Sequence, residues 1–155
     1  MTDAAKHESL IDLMVRIEES AEAFYKLCAA KFPKNSGLWT SLAAAEEQHA
    51  RYLREIAVHP TESVAFARRR HVATAPLKAL LDSLKRNHTR VETTAVTQAQ
   101  ALTIARDLEY SGIEKKVLEP VEGDPPEVVQ TIRRINSETT NHRVLIESAL
   151  AALKA

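Results

Sequence analysis

A single cysteine, Cys28, excludes an intrachain disulfide and any Cys-x-x-Cys metal knuckle. With no disulfide framework to form, a reducing cytoplasm is the expected home. Glycine is nearly as scarce, at three residues, and aromatics make up only 5% of the chain. Such a composition disfavours the turn-rich, aromatic-rich patterns of sheet proteins. No run approaches 18 uninterrupted apolar residues, and Met1 to Leu10 carries Asp3, Lys6, His7 and Glu8 in place of an apolar signal-peptide core. Neither membrane insertion nor export is expected. Charge of one sign is missing too, since 21 basic residues cancel 21 acidic ones. A neutral chain has no global field to recruit nucleic acid or an anionic membrane, so neither is an expected partner.

What the chain does have is Ala, Leu, Glu, Lys and Arg in quantity, with 45% apolar residues over 155 positions. That is enough for one all-α domain with a real core. Four core helices are expected. The first spans about 3–31, capped by Thr2 or Asp3 and stopped by Phe32-Pro33; the second spans 37–58 and is closed by His59-Pro60. Their short connection makes them antiparallel neighbours. Residues 59–92 read as a long crossover with two short amphipathic pieces, one within Thr61 to Arg70 and one at Leu77, Leu80, Leu81 and Leu84. A third helix at about 93–118 then runs parallel to the second, and Gly123-Asp124-Pro125-Pro126 opens a fourth at 126–154.

Ionisable residues interrupt the apolar faces of these helices. Glu18 falls on the row Ile11, Met14, Glu18, Ala21, Tyr25, Cys28, and Glu46 and His49 fall on the row Trp39, Leu42, Glu46, His49, Leu53, Ile56. Both rows step by three or four residues, the spacing of one buried helix face. An ionised carboxylate in a core disfavours folding by several kcal/mol unless compensated, and a divalent metal is the usual compensator for several inward carboxylates on facing helices. Glu46 and His49, three apart, point at one place; alone, Glu-x-x-His is a weak signal, and the apolar rows around it give it weight. Glu109 lies on the row Leu102, Ala105, Glu109, Gly112, Ile113, whereas the competing row Ala101, Ile104, Leu108 would put it at the flank. Both readings stand. The fourth helix offers Glu138 and His142 on the row Val128, Ile132, Ile135, His142, then Leu145 or Ile146, and Ala149, but Thr139 stands three before the histidine. Cys28 continues the first row as a buried apolar residue, and the Arg68-Arg69-Arg70-His71 run reads as a solvated face.

The stretches Ile17 to Tyr25, Leu38-Trp39 and Ala45 to Leu53 resemble the first half of the rubrerythrin and ferritin-like di-iron carboxylate proteins, and Ala101 to Glu109 is similar to the opening of their third core helix. The resemblance implies a ferritin-like antiparallel four-helix bundle with a long crossover between its second and third core helices. It further implies two iron ions, with manganese or a single ion as variants. Glu18, Glu46, His49, Glu109 and His142 would be ligands, Glu46 bridging, with Glu138 reaching in for the carboxylate missing at Thr139 and Tyr25 beside the site. An oxidoreductase of peroxidase or ferroxidase type, or a protein of iron handling, would follow. Its partners would be a small-molecule oxidant and an external electron donor, and a homodimer fits the family's habit. Three departures are visible: Thr139, Gly112 where rubrerythrins carry a further carboxylate, and no cysteines for a rubredoxin module. A helical binding or structural module with a degenerate or empty metal site is the alternative.

Overall fold

The computed structural model describes residues 10–58, 74–111, 119–120 and 122–154. Among them the chain is all-α, with five helices and no strand: α1 Leu10–Lys31, α2 Ser36–Val58, α3 Ala75–Thr93, α4 Gln98–Glu109 and α5 Pro126–Lys154. The expected start of the first helix near residue 3, the piece within Thr61 to Arg70, the arginine run, and the third helix beyond Ser111 with Gly112 and Ile113 lie outside the described residues. No described helix is long and apolar enough to cross a membrane.

Two apolar clusters fix the direction of every helix. Ile11, Met14 and Ile17 of α1 meet Leu53 and Ile56 of α2, Leu77, Leu81 and Leu84 of α3, and Val128, Ile132 and Ile135 of α5. At the other end Tyr25 and Cys28 of α1 meet Trp39 and Leu42 of α2, Val91 of α3, Ala101, Leu102 and Ala105 of α4, and Ile146 and Leu150 of α5. The chain therefore passes back and forth between the clusters, each helix opposite in direction to the one before it. The turn at Pro33–Asn35 is a single 3-10 turn, which folds α2 back on α1.

The stretch read as a crossover with short helical pieces instead contains α3, a 19-residue helix. Its apolar stripe is interrupted by Asn87-His88-Thr89, residues of modest helix propensity that read locally as a break. Packing overrides that preference, because Leu77, Leu81, Leu84 and Val91 are all buried. Lys31, at the end of α1, also donates to the carbonyls of Val91 and Thr94, tying the two helix ends together.

The third helix was expected from about residue 93, whereas Thr93 ends α3 and α4 begins at Gln98. The local chemistry explains the break. Thr93 and Thr94 turn their hydroxyls back onto the carbonyls of Thr89 and Arg90, at 2.7 and 2.5 Å, and Thr94 adopts extended backbone. Thr97 then caps α4 through a reciprocal capping box with Gln100, the two bonds measuring 3.2 and 2.9 Å. Before α5, Gly123 takes a φ of 90°, a conformation costly to a side-chain-bearing residue, and Pro126 opens the helix.

Leu77 is fully buried at the α3 contact with the first cluster. Leu77→Ala should destabilise the protein by about 2–5 kcal/mol, while Lys78→Ala on the exposed side should change stability by no more than about 0.5 kcal/mol. Urea unfolding of the two variants measures the difference, and equal midpoints would mean that α3 is not docked as described.

Candidate metal centre

Between the two apolar clusters lies a layer of five ionisable side chains, each at most 6% exposed: Glu18, Glu46, His49, Glu109 and His142. Each occupies a core position of its helix. Glu18 sits between Ile17 and Ala21, Glu46 and His49 between Ala43 and Leu53, and His142 between Ile135 and Ile146. Glu109 points inward at the last turn of α4, while Ile104 and Leu108 of the competing row are only partly buried. On α5 the row continues through Ile146, with Leu145 exposed.

Glu46 is shared by two groups of donor atoms. Its Oε2 lies 3.3 Å from His49 Nδ1, which is 3.7 Å from Glu18 Oε2. Its Oε1 lies 3.3 Å from His142 Nδ1, which is 3.6 Å from Glu109 Oε1. The imidazoles stack with ring centroids 5.8 Å apart and planes 25° from parallel. Glu18, Glu46 and His49 form one group and Glu46, Glu109 and His142 the other, the donor atoms of each lying within 4.8 Å of one another, and each group could hold a metal ion.

The spacing is informative. Two contacts of the layer are short: Tyr25 donates at 2.6 Å to Glu109 Oε1, the oxygen that also faces His142, and His49 Nε2 is 2.7 Å from Glu138 Oε2. The two histidine Nδ1 atoms stand 3.3–3.7 Å from the carboxylate oxygens they face, beyond ordinary hydrogen-bond length, and the buried His142 Nδ1 makes no hydrogen bond. Ligands about 2.1 Å from a common ion stand roughly 3.0–3.4 Å apart at right-angle or tetrahedral separation. The two Glu46 contacts, at 3.3 Å, fall within that spread, and those of Glu109 and Glu18, at 3.6 and 3.7 Å, lie just beyond it.

Tyr25 is a core residue whose hydroxyl orients a carboxylate of the site. Glu138 is not brought into either group. Its side chain is 34% exposed and lies on the outer side of His49, against Nε2, although its spacing from His142 would let both face one side of α5. Two further contacts carry no periodic signal in the sequence. Arg143 Nε donates to the Glu109 carbonyl at 2.9 Å, securing the end of α4, and its guanidinium lies 4.8 Å from the centroid of the Tyr110 ring. Cys28 is buried, which pushes its thiol up to about 12 and leaves it unreactive. His88 lies on α3 near Glu92, away from the layer.

Histidines and carboxylates in the layer shift one another's protonation. Burial would raise Glu46, but its contacts with Glu18, His142 and His49 hold it well below the usual carboxylate range. Burial and the neighbouring Glu46 charge raise Glu109, against the opposing pull of His142 and Tyr25. Burial would lower His142, yet the adjoining Glu109 and Glu46 lift it to about 10, and Glu46 and Glu138 likewise raise His49.

These shifts give the metal-free protein a defined pH dependence. Protonated His142 contributes stability that is fully present below its ordinary 6.5 and is lost as pH rises through about 10. The raised Glu109 acts in the same direction, whereas the lowered Glu46 contributes stability above its ordinary 4.5 that is lost on acidification. In chelator, the melting temperature should fall by about 5 °C or more between pH 6.5 and pH 10, and His142→Gln should flatten that slope. A wild-type melting temperature that holds or rises over this interval would contradict the assignment of the buried charges.

Compared with known proteins, the chain matches no family model, no curated protein and no solved structure.

Proposed function

We propose that the protein binds two iron or manganese ions, one on each side of Glu46, and works in redox chemistry on oxygen or peroxide or in iron handling. In this reading α1, α2, α4 and α5 are the four core helices of a ferritin-like bundle, and α3 is the connection that returns the chain across it. The observation that supports it most strongly is the pair of buried donor groups that share Glu46, one with Glu18 and His49 and the other with Glu109 and His142, in which His142 Nδ1 makes no hydrogen bond. The resemblance of Ile17 to Tyr25, Ala45 to Leu53 and Ala101 to Glu109 to rubrerythrin and ferritin-like sequences points the same way.

The chain's residues would do the following. Glu46, with one oxygen toward each group, would hold two ions at a set separation. Glu18 and His49 would complete one ligand set, and Glu109 and His142 the other. Tyr25 would fix the Glu109 carboxylate by its hydrogen bond, and the apolar clusters above and below would keep bulk water out. Carboxylate and imidazole donors suit iron and manganese, and such ions supply one-electron redox capacity and Lewis acidity when bound. Three donors in each group fall short of the six such ions commonly take, so positions would remain for a small oxidant. Electrons would come from an external donor.

One feature favours a second reading, a helical module that holds no metal. The two imidazoles already offset part of the carboxylate charge, which lessens the fold's electrostatic need of a cation. Metal analysis of protein purified without chelator separates the two. The two-ion reading expects about two equivalents per chain, near-complete loss of both in Glu46→Gln, and loss of one in Glu109→Gln, because only Glu46 is common to the groups. Metal content near zero, with no uptake on titration by ferrous or manganous ion, would establish the metal-free module.

A further inference from the structure

The seam between α3 and α4 holds a cavity of about 280 Å³ that none of the five layer side chains lines. Its walls divide by chemistry. Leu80 and Leu84 of α3 with Ile104 and Leu108 of α4 supply the apolar part, and Ser83, Asn87 and Arg90 of α3 with Asp107 of α4 supply the polar part. Helix geometry sets the division. Leu77, Leu81 and Leu84 commit one side of α3 to the first apolar cluster, and the i, i+4, i+7 series Ser83, Asn87, Arg90 turns the adjoining side toward α4. Asn87 is a poor helix former in the middle of that helix. Thr89 and Thr93 bond back to helix carbonyls, whereas the Asn87 side chain lines the cavity. A residue that works against local propensity and faces a cavity is placed as binding groups are placed.

Among the described residues no hydrogen bond or ion pair engages the side chains of Ser83, Asn87 and Arg90, whereas Asp107 is met by Arg106, Nε to Oδ1 at 3.6 Å. The cavity therefore presents one uncompensated positive charge, beside an amide and a hydroxyl, next to an apolar wall. A planar guanidinium matches a carboxylate through two parallel hydrogen bonds. Asp107, on the facing helix, disfavours a second negative charge. The volume equals the share of about nine water molecules and falls below that of sites for drug-sized ligands, which excludes a nucleotide or a flavin. We propose that the cavity binds a small monocarboxylate with an apolar body. Arg90 and Asn87 hold the carboxylate, and Leu80, Leu84, Ile104 and Leu108 cover the body. The site does not depend on ions at Glu46.

Benzoate is the probe, titrated into the full chain in chelator and followed by amide proton–nitrogen spectra, with benzyl alcohol, benzylamine and terephthalate as neutral, cationic and doubly anionic controls. Benzoate should give saturable shifts at the amides of residues 83–90 and 104–108, with a Kd of about 1 mM or below, within what about nine non-hydrogen atoms can supply. Each control should bind at least about tenfold more weakly, the worth of one charge-assisted contact. Arg90→Met removes the guanidinium from a side chain at the rim and should bring benzoate down to the level of benzyl alcohol. Ile104→Trp should fill the cavity and abolish binding of both. No saturation by about 20 mM benzoate, or saturation at amides elsewhere, would overturn the proposal. So would benzylamine binding as tightly as benzoate, or an unchanged benzoate affinity in Arg90→Met. The ligand series in the wild type and Arg90→Met decide the matter even if Ile104→Trp does not fold.

Discussion

Five ionisable side chains held in one layer between two apolar clusters are the constraint that the rest of the structure serves. Each buried carboxylate would cost several kcal/mol alone, so none stands alone. Glu46 lies against both histidines, Glu109 is met by Tyr25 and His142, and His49 is backed by Glu138. Four helices each contribute to the layer, and it can assemble only if their registers agree. The apolar clusters supply the driving force for folding, and the polar layer selects which register the helices adopt. A slip of α5 by one residue would turn His142 from Glu46 and expose it on the flank.

That dependence explains what the sequence could and could not show. The inward positions of Glu18, Glu46 and His49 are legible because each replaces an apolar residue in an otherwise unbroken row, and periodicity survives without any knowledge of neighbours. Glu109 was ambiguous because two rows of similar quality run along α4, and only the contact with Tyr25 and His142 decides between them. Glu138 shows the limit most plainly. Its spacing from His142 allows both to face one side of a helix, but which side of the facing His49 it meets depends on the crossing of α2 and α5, which no single helix encodes. The full length of α3 was hidden for a related reason. Asn87-His88-Thr89 reads as a break, and the burial of Leu84 and Val91 on either side of it, which carries the helix through, is a tertiary fact.

Self-compensation in the layer bears on how a cation would enter. Imidazoles lifted by adjoining carboxylates hold protons that a metal ion must displace, so uptake would be an exchange of protons for a cation. Such exchange would let the same side chains support a metal-free protein and a loaded one. It also makes Glu46 the pivot of both states, since the oxygen that faces each histidine in the absence of metal is the oxygen that would face each ion. Thr139, partly buried one turn from His142, leaves the α5 side of the layer with fewer donors than the α1 and α2 side.

The proposed function makes the layer a two-ion centre organised about Glu46. Anomalous diffraction from crystals soaked in manganous or ferrous salt, recorded on either side of the metal's absorption edge, tests it most directly. Two peaks, one between Glu18, Glu46 and His49 and one between Glu46, Glu109 and His142, are the expected result. A map with no peak in the layer at saturating metal, with the carboxylates and histidines still paired to one another, would contradict it.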